Sequence, residues 1–213
     1  MRIILLLIFL LATTGWPSQI ISGVGIEGGL SSTFQKWNYA DGMRFMKEMD
    51  QHENIGIFYQ FLDFKYVNLL LNIDYEQKGG LDNEIDSTYI DQNGQIVTGG
   101  KIKMWDRLDY IGFAPRIKAK IRIRGIEPFV TIGASFDYMI SKKNEYLGNV
   151  INEFKATDIA ALYGIGIGVY FTKNLQGFFE FLHEPSVVAI FSNSFVNVKN
   201  DLMKFNLGIM YCL

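Results

Sequence analysis

The side chains with the strongest claim to chemistry stand together at His183-Glu184-Pro185-Ser186. Histidine, an acid and serine are the components of a hydrolase in which a carboxylate orients an imidazole that takes the proton of a hydroxyl nucleophile. Such a site requires Ser186 within hydrogen-bond reach of His183. Two other stretches invite a reading as ligand loops. Gly164-Ile165-Gly166-Ile167-Gly168 looks like a nucleotide loop, but its third glycine comes one residue early for GxGxxG and no helix is expected after it. Asp91-Gln92-Asn93-Gly94 looks like the middle of a calcium loop, yet the aligned loop would run from Tyr89 to Gly100 and lack both terminal carboxylates. His52 has no ligand partner at metal spacing. Strand packing, a turn and a solvated histidine are the plainer readings, so no catalytic residue, metal or cofactor is assigned.

The elements that would carry these residues are strands. From Thr157 to Leu182 the chain reads as a hairpin, with Ile159, Ala161, Tyr163, Ile165, Ile167, Val169 and Phe171 alternating with small or polar residues before a Thr-Lys-Asn turn. Successive strand side chains point to opposite faces, and each arm is close to the roughly 9–11 residues a tilted strand needs to cross a bilayer. The same alternation recurs along the chain. Val24 to Leu30 forms strand one, Ile55 to Leu62 strand two, Val67 to Glu76 strand three, Tyr110 to Ile121 strand four and Phe129 to Tyr138 strand five. The hairpin supplies strands six and seven, and Leu202 to Leu213 is strand eight. Pro115, inside strand four, predicts a bulge or a local edge. Connections are long after strands one, three, five and seven and short after two, four and six. The longest, Lys78 to about Asp106, contains an Asn93-Gly94 hairpin signal and should extend as a small ribbon. This is the pattern of an all-β, eight-stranded antiparallel up-and-down transmembrane β-barrel with short periplasmic turns and long external loops.

Composition agrees. Of 213 residues, 49% are hydrophobic and 15% aromatic, yet beyond the N-terminus no apolar run approaches the roughly 18 residues of a membrane helix. The formal charge of −2, with no basic patch, gives no reason to expect a nucleic-acid partner. Residues 1–22 read as a secretory signal, with Arg2 as charged start and Ile3 to Ala12 as apolar core, leaving 23–213 as the barrel domain. Cys212 is the single cysteine, so no internal disulfide is expected.

Alternation leaves open which face meets lipid. In a soluble lipocalin-like carrier the apolar face would line a cavity. Here the polar faces stack glycines, Gly164, Gly166 and Gly168 in one strand and Gly23, Gly25 and Gly29 in another, which suits a narrow interior better than a wet surface. The interior would then hold Glu27, Asp74, Glu76, Asp137 and Glu180 against Arg116, Lys118, Lys120 and Lys204. Unpaired, such charges would each cost several kcal/mol, so cross-barrel salt bridges should plug the barrel. Aromatic residues outside the strands, Phe34, Trp37, Tyr39, Phe45, Trp105 and Tyr146, would be loop contacts for a partner.

The order of features resembles the PorT-like outer-membrane beta-barrel domain over nearly the whole chain after the leader. The likeness rests on GVGIEGGLSS, NLLLNIDYEQKGG, DYIGFAPRIKAKI, EPFVTIGASFDYMI and YGIGIGVYF, and on the short apolar strand at the C-terminus. Two features depart from it: Leu213 stands where an aromatic residue often ends such barrels, and Arg116 follows the strand-four proline where an aliphatic residue is more usual. The resemblance implies an outer-membrane location, no general catalytic activity and, in some members, a role beside a secretion apparatus. The expected partners are outer-membrane lipid, the barrel-assembly machinery and a protein met through the loops or the periplasmic rim. The alternatives are a lipid-modifying hydrolase using the His183 region, a lipocalin-like periplasmic carrier, and a narrow pore.

Overall fold

Strict alternation of large apolar with small or polar side chains favours extended chain, and strand after strand is what the molecule contains. The computed structural model describes residues 20–46, 49–81, 85–90, 96–102, 105–144 and 153–213. Residues 1–19 of the leader expected over 1–22 lie outside them, and Ile21 and Ser22 belong to the first strand. The long strands are β1 (Ile21–Tyr39), β2 (Asp50–Phe61), β3 (Val67–Leu81), β4 (Trp105–Lys120), β5 (Ile126–Asn144), β6 (Thr157–Tyr170), β7 (Leu175–Pro185) and β8 (Val196–Cys212). Each pairs antiparallel with the next, and β8 returns to β1 over the register Gly23↔Cys212 to Tyr39↔Val196. The sheet is therefore closed, and none of these eight strands is left as an edge. Short strands at Arg44–Met46 and Phe191–Ser192 pair with β1 and β8. Ile85–Ile90 pairs with Ile96–Ile102 as the ribbon expected between strands three and four, with residues 91–95 outside the described set.

At one end the connections are residues 62–66, 121–125 and 171–174; at the other they are 40–49, 82–104, 145–156 and 186–195. This long-short alternation puts the first end in the periplasm and the second outside. Pro115 does not shift the register. β4 stays in step with β5 from Phe113↔Phe136 to Arg116↔Gly133, and the irregularity falls instead at Asp109/Tyr110. Several strands outrun their expected bounds at the external end: β1 continues to Tyr39, β5 to Asn144, and β8 starts at Val196.

The two faces are sharply different. Ile26, Ile55, Ile73, Ile111, Ile132, Ile165, Leu207 and Ile209 are all exposed, whereas Glu27, Glu76, Arg116, Lys118, Glu180 and Lys204 are buried. In water that exposed belt would be strongly unfavourable, at about 25 cal/mol per Å2 of apolar surface. Facing hydrocarbon, it is the surface the solvent requires. The arrangement is the reverse of a lipocalin-like carrier. The interior is narrow enough that glycines set its packing: a Cβ on Gly166 would lie 2.3 Å from Phe129 Cζ, and one on Gly112 would lie 2.4 Å from Asp74 Oδ1 and 2.7 Å from Asp137 Oδ1.

Candidate functional site

At membrane level the interior holds three charge clusters, with buried Phe58, Leu70 and Met210 packed beside them. In the middle, Arg116 from β4 crosses the barrel to Glu180 on β7, with Nη1 donating to Oε2 at 2.8 Å, and its Nη2 lies 3.6 Å from Glu27 Oε2 on β1. Asn72 joins them by donating to Glu27 Oε1 at 2.8 Å and accepting from Arg116 Nε at 3.1 Å. Thr131 Oγ1 donates to Glu180 Oε1 at 2.9 Å. Towards the outside, Lys204 on β8 gathers Asp74 at 3.0 Å, Glu184 at 3.0 Å and Glu76. Lys78 on β3 gathers Asp137 at 2.6 Å, Glu76 at 2.9 Å and Asp158 at 3.1 Å. Towards the periplasm, Glu127 accepts from Lys118 at 2.8 Å and Gln176 at 3.1 Å, with Lys120 at 3.8 Å. In the turn 121–125, burial works against the charge of Arg122, but Tyr170 and Glu127 beside it hold its guanidinium above its ordinary value.

Lys78, Asp158, Glu127 and Glu184 were absent from the expected interior set, and the signal for each was parity. Lys78 continues the inward series of Asn68, Asn72 and Glu76, Asp158 shares a face with Ala160 and Leu162, and Glu184 shares one with Glu180 and Leu182. Reading Lys78 and Glu184 as loop, and starting strand five at Phe129, hid three of them, while Asp158 already stood on the small or polar parity of its strand. Removing Arg116, Lys204 or Lys78 leaves uncompensated carboxylates in a low-dielectric site, which is strongly destabilising; Glu127, with Lys118, Lys120 and Arg122 around it, keeps a partner when one of them is removed.

Above the belt the interior changes character. Trp37, Leu108, Tyr110, Phe154, Ile190, Phe191, Val196 and Val198 form an apolar core inside the external end of the barrel. Trp37, expected as an exposed loop contact, is part of this core because β1 continues past Ser32 and points it inward. Phe34 also lies on β1, with the Lys36 ammonium 5.4 Å from its ring centroid. Tyr39 ends β1 and is exposed, and Trp105 opens β4. Tyr146 lies outside the described residues. His52, expected to be solvated, is on β2 with Nε2 3.3 Å from Asp50 Oδ2 and its side chain mostly buried.

The hydrolase arrangement around His183 is not assembled. His183 Nε2 lies 2.6 Å from Asp201 Oδ1 and its Nδ1 2.5 Å from the Tyr163 hydroxyl, so the imidazole is oriented by an acid. Ser186, however, faces inward and donates to Asp158 Oδ1 at 2.6 Å. Among the described residues no group of His, Cys, Asp and Glu is arranged to hold a metal, and the Gly164 to Gly168 run lies within β6.

With a closed ring of strands, an apolar outer belt and charges within, the architecture is decided. The chain is an outer-membrane β-barrel. Among solved structures it is similar to the outer membrane protein OprG from Pseudomonas aeruginosa, with 8% identity over 92% of this chain and 97% of that one and a TM-score of 0.53. It is also similar to the outer membrane protease OmpT from Escherichia coli (10% identity, 93% and 98% covered, TM-score 0.49). A third likeness is to Neisserial surface protein A (12% identity, 92% and 100% covered, TM-score 0.48). No family model and no curated protein matches the chain. At such identities the likeness to OprG speaks for the fold alone.

Proposed function

We propose that this barrel is non-catalytic and serves a structural or interaction role in the cell envelope, its plugged interior holding the shape while its external loops or periplasmic rim engage a protein partner. The observation that carries this reading is the set of apolar side chains left in water beyond the belt: Met43, Met46, Met49 and Phe195 are all exposed, Phe195 by 73%. Ala40 N donates to Phe195 O at 2.8 Å, so the first and last external connections meet there. Exposed methionine adapts to varied apolar surfaces, and clustered apolar groups in water mark contact sites. Their company with the motifs quoted above supports a PorT-like barrel inserted by the barrel-assembly machinery and linked to secretion or envelope upkeep.

Photo-crosslinking in living cells tests this. A photoreactive residue at Met43 or Phe195 should yield one discrete protein adduct, lost when Met46 and Met49 become serine, while the same residue at lipid-facing Ile132 yields none. Absence of any adduct from either loop position, or steady ion conduction by the purified protein in planar bilayers, would refute the reading.

A further inference from the structure

Where the apolar belt ends on its external side, the outward face carries the same construction twice. On β8 and β1, Lys199 and Lys36 stand directly opposite one another in the register. Asp201 is paired with Lys36, and its other oxygen lies 2.6 Å from His183, which in turn contacts Tyr163 at 2.5 Å. On β4 and β5, Arg107 and Lys143 are opposite one another. Asp109 Oδ1 accepts from Arg107 Nε at 3.0 Å and from the Tyr75 hydroxyl at 3.0 Å, and Gln77 donates to that hydroxyl at 2.8 Å. Each unit therefore has two facing cations, one aspartate and one tyrosine at the edge of the belt. The seam of β8 with β1 and the pair β4 with β5 lie on opposite sides of the ring.

Both units sit at the same height. Asp201 and Asp109 each stand about one spanning length, roughly 9–11 residues, from Tyr211 and Ala119 at the periplasmic ends of their strands. That is the level of the outer-leaflet headgroups. Like charges facing each other across two strands are unfavourable in water, and in each unit the aspartate neutralises only one of the two. Lys36 and Arg107 remain 44% and 40% exposed, Lys143 is exposed, and Lys199 is half-buried with its ammonium donating to Val187 O at 2.9 Å. An anion held between the two cations would relieve the repulsion and complete the neutralisation.

We infer that these two rim units, Lys36 with Lys199 and Arg107 with Lys143, are binding sites for the phosphate groups of phosphorylated outer-leaflet lipid. Asp201 and Asp109 position one cation of each pair, and the adjoining tyrosines lie against the acyl chains just below. The two sites, on opposite walls, fix the barrel's height and tilt in the leaflet. The inference needs the transmembrane orientation but not the protein partner proposed above.

Native mass spectrometry of the detergent-solubilised full barrel, titrated with bis-phosphorylated lipid A, provides the test. The wild type should bind it in preference to the dephosphorylated lipid. Replacing Lys36, Lys199, Arg107 and Lys143 with Gln should weaken binding by about fivefold for each charge removed, while Lys36→Arg and Lys199→Arg preserve it. Heat-modifiable migration of every variant certifies the folded barrel. Equal binding of phosphorylated and dephosphorylated lipid, or unchanged binding by the folded fourfold Gln variant, overturns the inference. Displacement of the lipid by inorganic phosphate at equal concentration overturns the assignment to lipid, whereas displacement only at large excess supports it. Serine substitutions at Met46 and Met49 should leave lipid binding unchanged.

Discussion

The membrane-level barrel and its external end are built on the same strands with opposite chemistry. Between the leaflets, β8 points Phe205, Leu207 and Ile209 outward and Lys204 and Asn206 inward; above them the same strand points Asn197 and Lys199 outward and Val196 and Val198 inward. β4 makes the same reversal, from Arg116 and Lys118 inside to Leu108 and Tyr110 inside. The backbone and its alternation do not change. What changes is the solvent on the outside, and the side chains follow it: where lipid surrounds the wall most of the buried charges lie inside, beside a small Phe58, Leu70 and Met210 cluster, and where water surrounds it the interior gains the Trp37 apolar core, with Gln35 and Asp106 hydrogen-bonded beside it. The charge clusters give the first region its shape by electrostatic pairing, and the Trp37 core gives the second its shape by burial.

Substitutions can separate the two regions. The largest effect is expected from Lys204→Met, which strands Asp74, Glu76 and Glu184 in the interior; it should cost about 3–5 kcal/mol in urea unfolding of the liposome-reconstituted barrel. Next is Ile132→Lys, which puts a charge on the lipid face near the middle of the belt and should cost about 2–4 kcal/mol in the same assay. Val198→Ala, fully buried in the external core, should cost about 2 kcal/mol, and hydrogen exchange should show the loss confined to the external ends of β1, β4, β5 and β8. If protection instead fell throughout the barrel, the two regions would be one cooperative unit. The smallest effect belongs to Asn197→Lys, outward like Ile132 but above the belt, and it should stay within about 0.5 kcal/mol.

The reversal also explains what could be read from the sequence. Within the belt, Val67 to Tyr75 and Ile159 to Val169 announce their faces plainly, and the strand count, antiparallel order and loop alternation follow from them. Beyond the belt the alternation continues but the apolar residues move to the inward parity, at Val196 and Val198 on β8 and, after inward Thr33 and Gln35, at Trp37 on β1. A reader following the apolar series sees the pattern stop and assigns a loop. That is why Trp37 was expected on the surface, and why Lys78 and Glu184, still on the inward parity, were left out of the interior. Pairings such as Lys78 with Asp158, or Ser186 with Asp158 rather than with His183, depend on register across several strands, which one sequence does not specify. The rim units were hidden for the same reason, since Lys36 and Lys199 become neighbours only through the closing seam.

That seam has a bearing on biogenesis. The partner of β1, from Gly23 to Tyr39, is β8, with the other six long strands between them in the chain. Until it arrives the other strands can form at most an open sheet with two unsatisfied margins and a greasy flank, a prime template for aggregation. Closure of the barrel therefore rests on a single zipping event between β1 and β8.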